Sequence, residues 1–322
     1  MVRQLSKAYR LLFKKRNRLP DTFWFEVTNK CNLSCGMCPR IKEKIPQEDM
    51  KLSLFNDILK KIRHPRQIIL TGWGEPLAHK DFFEMASLAR ERFPKAGLMF
   101  TTNGHLFTEE NISKIIRSGI TAVNVSIDGI PEKDGSVWLG HPYSPIVTEG
   151  IEKLIRQRRR QALPVIRAQA VMIKNALGGL LNLISVIGKI GVDEIALIRF
   201  NKFSADSSAQ RPDFQEEAHI LNAAAAAAKK AGLKFTSLNR KNIMVKLLTH
   251  FDRHCPWTDN IMYINTSLYA TPCCNLRDLR MGDLTKDSIE GVWRGRDFLN
   301  FFENQHVYCS KCDSLKFKHS NQ

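Results

Sequence analysis

From residue 22 to about residue 201, short apolar runs alternate with longer stretches whose apolar positions recur every three or four residues. The short runs predict strands over 22–27, 67–71, 97–101, 122–126, 165–173 and 194–200. The longer stretches predict amphipathic helices over 52–63, 79–93, 108–118, 147–161 and 178–190. Six strand-then-helix units imply a parallel α/β sheet with helical crossovers. Six units fall short of the eight that close a barrel. The count therefore fits an incomplete (β/α)6 barrel or a doubly wound sheet, and periodicity alone does not choose. After residue 201 the texture changes. Residues 202–214 are polar and contain proline, as a linker would. An alanine-rich helix is expected over 215–232, a short strand over 234–236 and a β-hairpin over 262–271.

Composition adds bounds. The 322 residues suit one large domain and a smaller one, and 43% apolar with 25% charged residues is ordinary for a globular chain. No apolar run reaches the roughly 18 residues of a membrane span, and the basic N-terminus leads into no clean signal-peptide core. The net charge of +17 attracts polyanions in general without choosing among them. Residues 1–20 carry Arg3, Lys7, Arg10, Lys14, Lys15, Arg16 and Arg18 and no acid, with Leu5, Ala8, Tyr9, Leu12 and Phe13 on one helical face. This basic amphipathic extension could touch an anionic membrane surface. The simpler expectation packs its apolar stripe on the domain. Arg156, Arg158, Arg159 and Arg160 end a predicted helix, where cations are favourable, so no nucleic-acid partner is expected. Eight cysteines in a chain this long read better as metal ligands in a reducing cytoplasm than as disulfides.

Parallel α/β sheets bind ligands at the carboxyl ends of their strands. The first predicted strand ends at Cys31, Cys35 and Cys38, spaced C-x3-C-x2-C. Thiolates suit iron–sulfur clusters or zinc. A structural zinc site is normally closed by four ligands, whereas this loop supplies three and leaves a corner open. The second strand ends at Thr71-Gly72-Trp73-Gly74-Glu75-Pro76, the third at Thr101-Thr102-Asn103-Gly104 and the fourth at Val125-Ser126-Ile127-Asp128-Gly129. Any one glycine turn is weak, but four in this order look like one ligand surface.

The cysteine loop and the order of strand ends resemble the radical S-adenosylmethionine (radical SAM) superfamily over about residues 22–201. The resemblance implies a partial barrel holding a [4Fe–4S] cluster on Cys31, Cys35 and Cys38, with SAM on its open iron. It implies reductive cleavage of SAM to methionine and a 5′-deoxyadenosyl radical that abstracts a substrate hydrogen. An electron donor such as flavodoxin or ferredoxin is implied with it. Gly74 and Glu75 match the stretch whose backbone meets the SAM amino group. Trp73 departs from that stretch, where glycine is usual, and is expected to point away. Asn103 resembles the asparagine of the third-strand turn. Ser126 stands at a ribose-contacting position, and Asp128 lies on the same face. Asn175 also falls where many members carry asparagine.

The other five cysteines are Cys255, Cys273, Cys274, Cys309 and Cys312. Cys309-x2-Cys312 can reach one metal from a single turn, and Cys255 and Cys273 flank the predicted hairpin. Four thiolates fit a closed cluster or zinc equally. His254-Cys255-Pro256-Trp257, Tyr263-Ile264-Asn265, Thr271-Pro272-Cys273-Cys274, Gly282-Asp283-Leu284, Val292-Trp293 and Cys309-x2-Cys312 resemble the SPASM/twitch extension of radical SAM enzymes. That resemblance implies one auxiliary [4Fe–4S] cluster on Cys255, Cys273, Cys309 and Cys312, with Cys274 spare. Ser267-Leu268 replaces the usual Asp-Gly of the hairpin turn. Leucine disfavours positive φ, so a longer or different turn is expected. The organisation read from this is an N-terminal extension over 1–20, a core over 21–205, a linker and helix over 206–250 and a small α+β cluster domain over 251–322.

Residues expected near substrate are His105, Arg199, Trp257, Tyr263 and Arg277, while His250 and His254 lie close to Cys255 in sequence; none stands out as catalytic. The expected activity is oxidation of a small metabolite, such as a sugar, cyclitol or lipid precursor, with the auxiliary cluster accepting an electron. The alternative is maturation of a ribosomally made precursor peptide. About 20 residues precede the first strand, too few for a leader-binding domain, which favours the small molecule. A non-enzymatic zinc protein binding nucleic acid is the remote third choice. The expected location is cytoplasmic, membrane-peripheral if the N-terminal extension binds lipid.

Overall fold

The computed structural model describes residues 18–36, 38–128, 144–158, 162–174, 177–200, 211–237, 255–310 and 312. The N-terminal amphipathic face, Asn175, His250 and His254 lie outside the described residues.

The alternation read from the sequence becomes strands β1 (Thr22–Phe25), β2 (Gln67–Leu70), β3 (Gly97–Thr102), β4 (Ala122–Ser126), β5 (Val165–Met172) and β6 (Glu194–Arg199). Between them run α1 (Pro39–Lys42), α2 (Leu52–Lys61), α3 (Phe82–Arg92), α4 (Glu109–Arg117), α5 (Pro145–Arg158) and α6 (Leu177–Ile190). Each neighbouring pair from β1 to β6 is parallel, and spatial order follows chain order. A doubly wound sheet reverses its order part-way, so this is the winding of a barrel. The sheet stays open, with β7 and β10 at its edges.

Helix ends follow local chemistry. Thr108 caps α4 by accepting from Asn111 N, with Glu109 and Glu110 in the first turn and Lys114 and Arg117 in the last. Strand faces divide by period two. On β5, Ile166, Ala168, Ala170 and Met172 are buried in the main core, while Arg167 and Gln169 take the opposite face. That second face carries a polar belt. Asn124 donates to Thr101 and accepts from Arg167, Arg167 donates to Glu194, and Lys234 donates to the other Glu194 oxygen.

Beyond the six expected strands the sheet continues at both ends. After α7 (Phe214–Lys230), held at its start by an Asp213/Glu216 capping box, β7 (Lys234–Ser237) pairs parallel with β6. The stretch expected as linker and helix thus contributes a seventh parallel strand to the core. At the other end β8 (Ile261–Ile264) pairs parallel with β1, then antiparallel with β9 (Tyr269–Thr271), which pairs with β10 (Gly282–Asp283). Short helices α8 (Ile289–Trp293), α9 (Arg296–Glu303) and α10 (Gln305–Tyr308) follow. The Trp293 ring packs on Phe298 and Phe302.

The β8–β9 turn is longer than two residues, as expected, yet Leu268 does adopt positive φ, at 65°. Leu268 N donates to Asn265 O, and Asn265 N donates to Tyr269 O, a three-residue hairpin loop ending in a left-handed residue. The Leu268 side chain is buried in the core, which offsets the backbone cost. Arg158 also departs from the simple helix-end picture. It is buried, pairs with Asp193 and donates to Pro164 O. Among the described residues no helix is long and apolar enough to cross a membrane.

Candidate active site

The first thiol loop leaves β1 and is braced from one side. Asn29 exchanges hydrogen bonds with Glu48, and Thr28 and Lys30 both donate to Asp49. Arg40 in α1 donates to Leu33 O, and Cys38 N donates to Cys35 O. Burial raises the Cys31 thiol, and burial followed by the neighbouring Cys38 and Cys31 pushes Cys35 up to about 12. Crowded and desolvated, Cys31 and Cys35 do not ionise together without a cation beside them.

The second strand-end loop lies against this one. A Cβ on Gly72 would clash with Glu26 Cγ, and one on Gly74 with Lys30 O, so both positions need glycine. Gly74 N donates to Thr28 O, Glu75 N to Lys30 O and Trp73 N to Glu26 Oε1. The N–H groups of Trp73, Gly74 and Glu75 are thereby used. Among the described residues nothing donates to the carbonyls of Gly72, Trp73 or Gly74. Glu75 turns its buried carboxylate to β3, accepting from Leu77 N, Thr102 Oγ1 and Asn103 N. Burial holds it up at about 6 against these three bonds. Asn103 reaches back to the cysteine loop, donating to Asn32 Oδ1.

Cys31, Cys35, Cys38, Gly74, Glu75, Asn103, Ser126 and Asp128 all line one cavity of about 350 Å³. His105 lines it too, its imidazole pKa lowered by burial. Asp128 accepts from Val171 N, and burial raises its carboxyl to about 6. Trp73 is among the residues that line the cavity, and its ring lies 5.5 Å from the Arg277 guanidinium.

The other candidates separate. Arg199 is held by Glu217 of α7 through both carboxylate oxygens. Tyr263 is wholly buried beside Glu26 and Arg277 is pinned by Glu26, while Trp257 is exposed.

The second thiol group is drawn together by the hairpin and α10. Burial, then mutual proximity, raises Cys255; Cys273 is pushed up to about 11 by burial and Cys309 to about 12 by burial and by Cys273 and Cys312. Cys274 is raised mainly by burial, then by Cys273 beside it. Sequence reasoning missed Gln305. Its buried amide accepts from Cys255 N at 2.7 Å and donates to Thr258 Oγ1 at 2.8 Å, while its own carbonyl accepts from Cys309 N. The one available signal, a residue one helical turn before a cysteine, is too common to stand out. Among the described residues no three His, Cys, Asp or Glu side chains converge where a single metal ion would sit.

Residues 25–188 match the radical SAM superfamily, and residues 255–313 match the SPASM iron–sulfur cluster-binding domain. The chain belongs to the radical SAM superfamily. Among curated relatives, it is 31% identical over 175 residues to the tungsten-containing aldehyde ferredoxin oxidoreductase cofactor-modifying protein of Pyrococcus furiosus, over 53% of this chain and 49% of that one. It thus spans about half the length of this relative. Streptococcus suis SuiB bound to precursor peptide SuiA superposes with a TM-score of 0.71 at 14% identity, over 97% of this chain and 74% of SuiB. Native anSMEcpe with bound AdoMet and Cp18Cys peptide gives 0.67 at 15%, over 91% and 87%. At these identities the likeness is one of fold.

A radical SAM enzyme binds a [4Fe–4S] cluster and SAM, and its SPASM domain binds auxiliary iron–sulfur clusters. The donor sets here fit both. Crowded thiols call for a soft, positively charged partner. Unengaged carbonyls beside them suit an ammonium group, which donates three hydrogen bonds and accepts none.

Proposed function

We propose that this radical SAM enzyme oxidises a small metabolite, such as a sugar, cyclitol or lipid precursor. The observation that carries the site assignment is the single cavity shared by Cys31, Cys35, Cys38 and the four strand ends. In this reading the three thiolates hold the SAM-binding cluster. The free carbonyls beside Gly74 would accept from the SAM ammonium, while Glu75 locks that loop to β3 and Asn103 braces the cysteine loop. Ser126 and Asp128 lie where a ribose would be met. Cys255, Cys273, Cys309 and Cys312 hold one auxiliary [4Fe–4S] cluster. Bound together, these groups would supply hydrogen-atom abstraction at the cavity and, at Cys255, Cys273, Cys309 and Cys312, an acceptor for the electron of a two-electron substrate oxidation.

The cofactor-modifying relative supports a small-molecule substrate. The alternative, precursor-peptide maturation, draws support from the two peptide-bound structures of the same fold. Anaerobic protein with dithionite and SAM is expected to form 5′-deoxyadenosine and methionine slowly, and Cys35→Ala to abolish this. Parental rates in Cys35→Ala would reject the cluster assignment. Small-molecule and peptide fractions from a deuterium-labelled extract then separate the substrate classes. Deuterium appearing in 5′-deoxyadenosine only with the peptide fraction would overturn the small-metabolite reading.

A further inference from the structure

Glu26 follows β1, and Arg277 follows the turn that carries Cys273 and Cys274, 251 residues later. Arg277 donates to Glu26 Oε2 from Nε at 3.2 Å and from Nη2 at 2.8 Å. Glu26 is wholly buried and Arg277 nearly so. The same carboxylate accepts from Trp73 N and from Thr266 N, each at 3.4 Å, so one buried anion joins the cavity loop, the hairpin turn and the segment after the auxiliary thiols. Asp278 is the other acid at Arg277, at 3.2 Å. The guanidinium lies 5.5 Å from the centre of the Trp73 ring, within cation–π range. Trp73 thus stands between two glycines that tolerate no side chain, and its ring has a fixed partner.

We propose that Arg277 is a positioning residue for the SAM cavity: pinned by Glu26, it holds the ring of Trp73, a residue of the cavity lining. The link makes the shape of the SAM cavity depend on a residue four positions beyond an auxiliary thiol. This rests on the cavity being the SAM site, as proposed above.

The test measures SAM binding by equilibrium dialysis on the anaerobically reconstituted full chain, with iron content and the EPR spectrum of the reduced protein with and without SAM. Trp73→Leu removes the ring and leaves the ion pair. It is expected to weaken SAM binding about five- to tenfold with iron retained, whereas Trp73→Phe stays within about twofold because an aromatic face remains. Glu26→Leu/Arg277→Met removes both charges together, avoiding an orphaned buried ion. This pair variant is expected to match Trp73→Leu, and adding Trp73→Leu to it should weaken binding no further.

Parental affinity in Trp73→Leu, or equal loss in the Leu and Phe variants, overturns the proposal. So does an additive loss in the triple variant. If the pair variant loses iron, the Leu and Phe comparison decides alone. Absence of SAM binding in the parental protein would instead remove the proposed function, and this inference with it.

Discussion

Glu75 shows how one buried side chain can be structural and acidic at once. Its three partners, Leu77 N, Thr102 Oγ1 and Asn103 N, all point donors at it. A carboxylate accepts at every lone pair, while an amide must turn two donors toward one of them. Glu75→Gln is therefore expected to lower stability by about 1–3 kcal/mol, read by denaturant unfolding, and to weaken SAM binding. Unchanged stability would mean the loop is held elsewhere. Asp128 permits a cleaner pH test, because asparagine keeps the oxygen that accepts from Val171 N. Burial raises Asp128 from 3.8 to about 6, so the fold binds this proton more tightly than the unfolded chain does. The stability it contributes is full below the unfolded value, falls as pH rises toward about 6 and is then flat. Glu75 acts in the same direction from 4.5 to about 6. Melting temperature followed across this range should fall less steeply in Asp128→Asn than in the parent. Parallel curves would show that Asp128 is not desolvated.

At the scale of elements, α10 spans only Gln305–Tyr308, yet its first residue bonds the backbones of two cysteines. Gln305 holds Cys255 N with its side-chain amide and Cys309 N with its main-chain carbonyl. Gln305→Leu should keep the Cys309 bond, leave the buried Cys255 N unsatisfied and loosen the thiol group. The expected result is faster loss of auxiliary iron to a chelator, with the SAM-dependent EPR change retained. A chelation rate equal to the parent's would reduce Gln305 to packing. The six core strands and their helices were legible in the sequence, because alternation and helical spacing are local signals. The strand ends that line the cavity were legible for the same reason, since a strand's end fixes where its next residues sit. Strands β7 and β8 were read as local pieces, but their places beside β6 and β1 were not, since pairing partners lie far apart in the chain. Leu268 misled because its propensity is local while the burial that overrides it is not. The Glu26–Arg277 pair and Gln305 carry no pattern at all; each is visible only once distant segments meet.

Across the whole molecule the two thiol groups share one sheet, with β8 beside β1, so the question is how far damage at one reaches the other. The first cysteine loop is braced by Glu48, Asp49 and the Gly74–Glu75 backbone, all within the core. These contacts join core residues to one another, and only the Glu48 carboxylate also accepts from the hairpin turn, from Thr266 Oγ1 and Ser267 Oγ. Cys309→Ala should therefore remove about half the iron of a two-cluster protein and destabilise the hairpin and its helices, since metal binding is coupled to folding. The remaining cluster should still change its EPR spectrum with SAM and still support slow 5′-deoxyadenosine formation. Its SAM affinity should fall modestly, because Arg277 lies in the disturbed segment and reaches Trp73. Replacing Cys31, Cys35 and Cys38 together by alanine should remove the complementary half and abolish 5′-deoxyadenosine. Cys274→Ala should retain both clusters. Loss of all iron in Cys309→Ala would show that the shared sheet makes the two sites a single cooperative unit. Loss of a cluster in Cys274→Ala but not in Cys273→Ala would exchange those two cysteines in the ligand set.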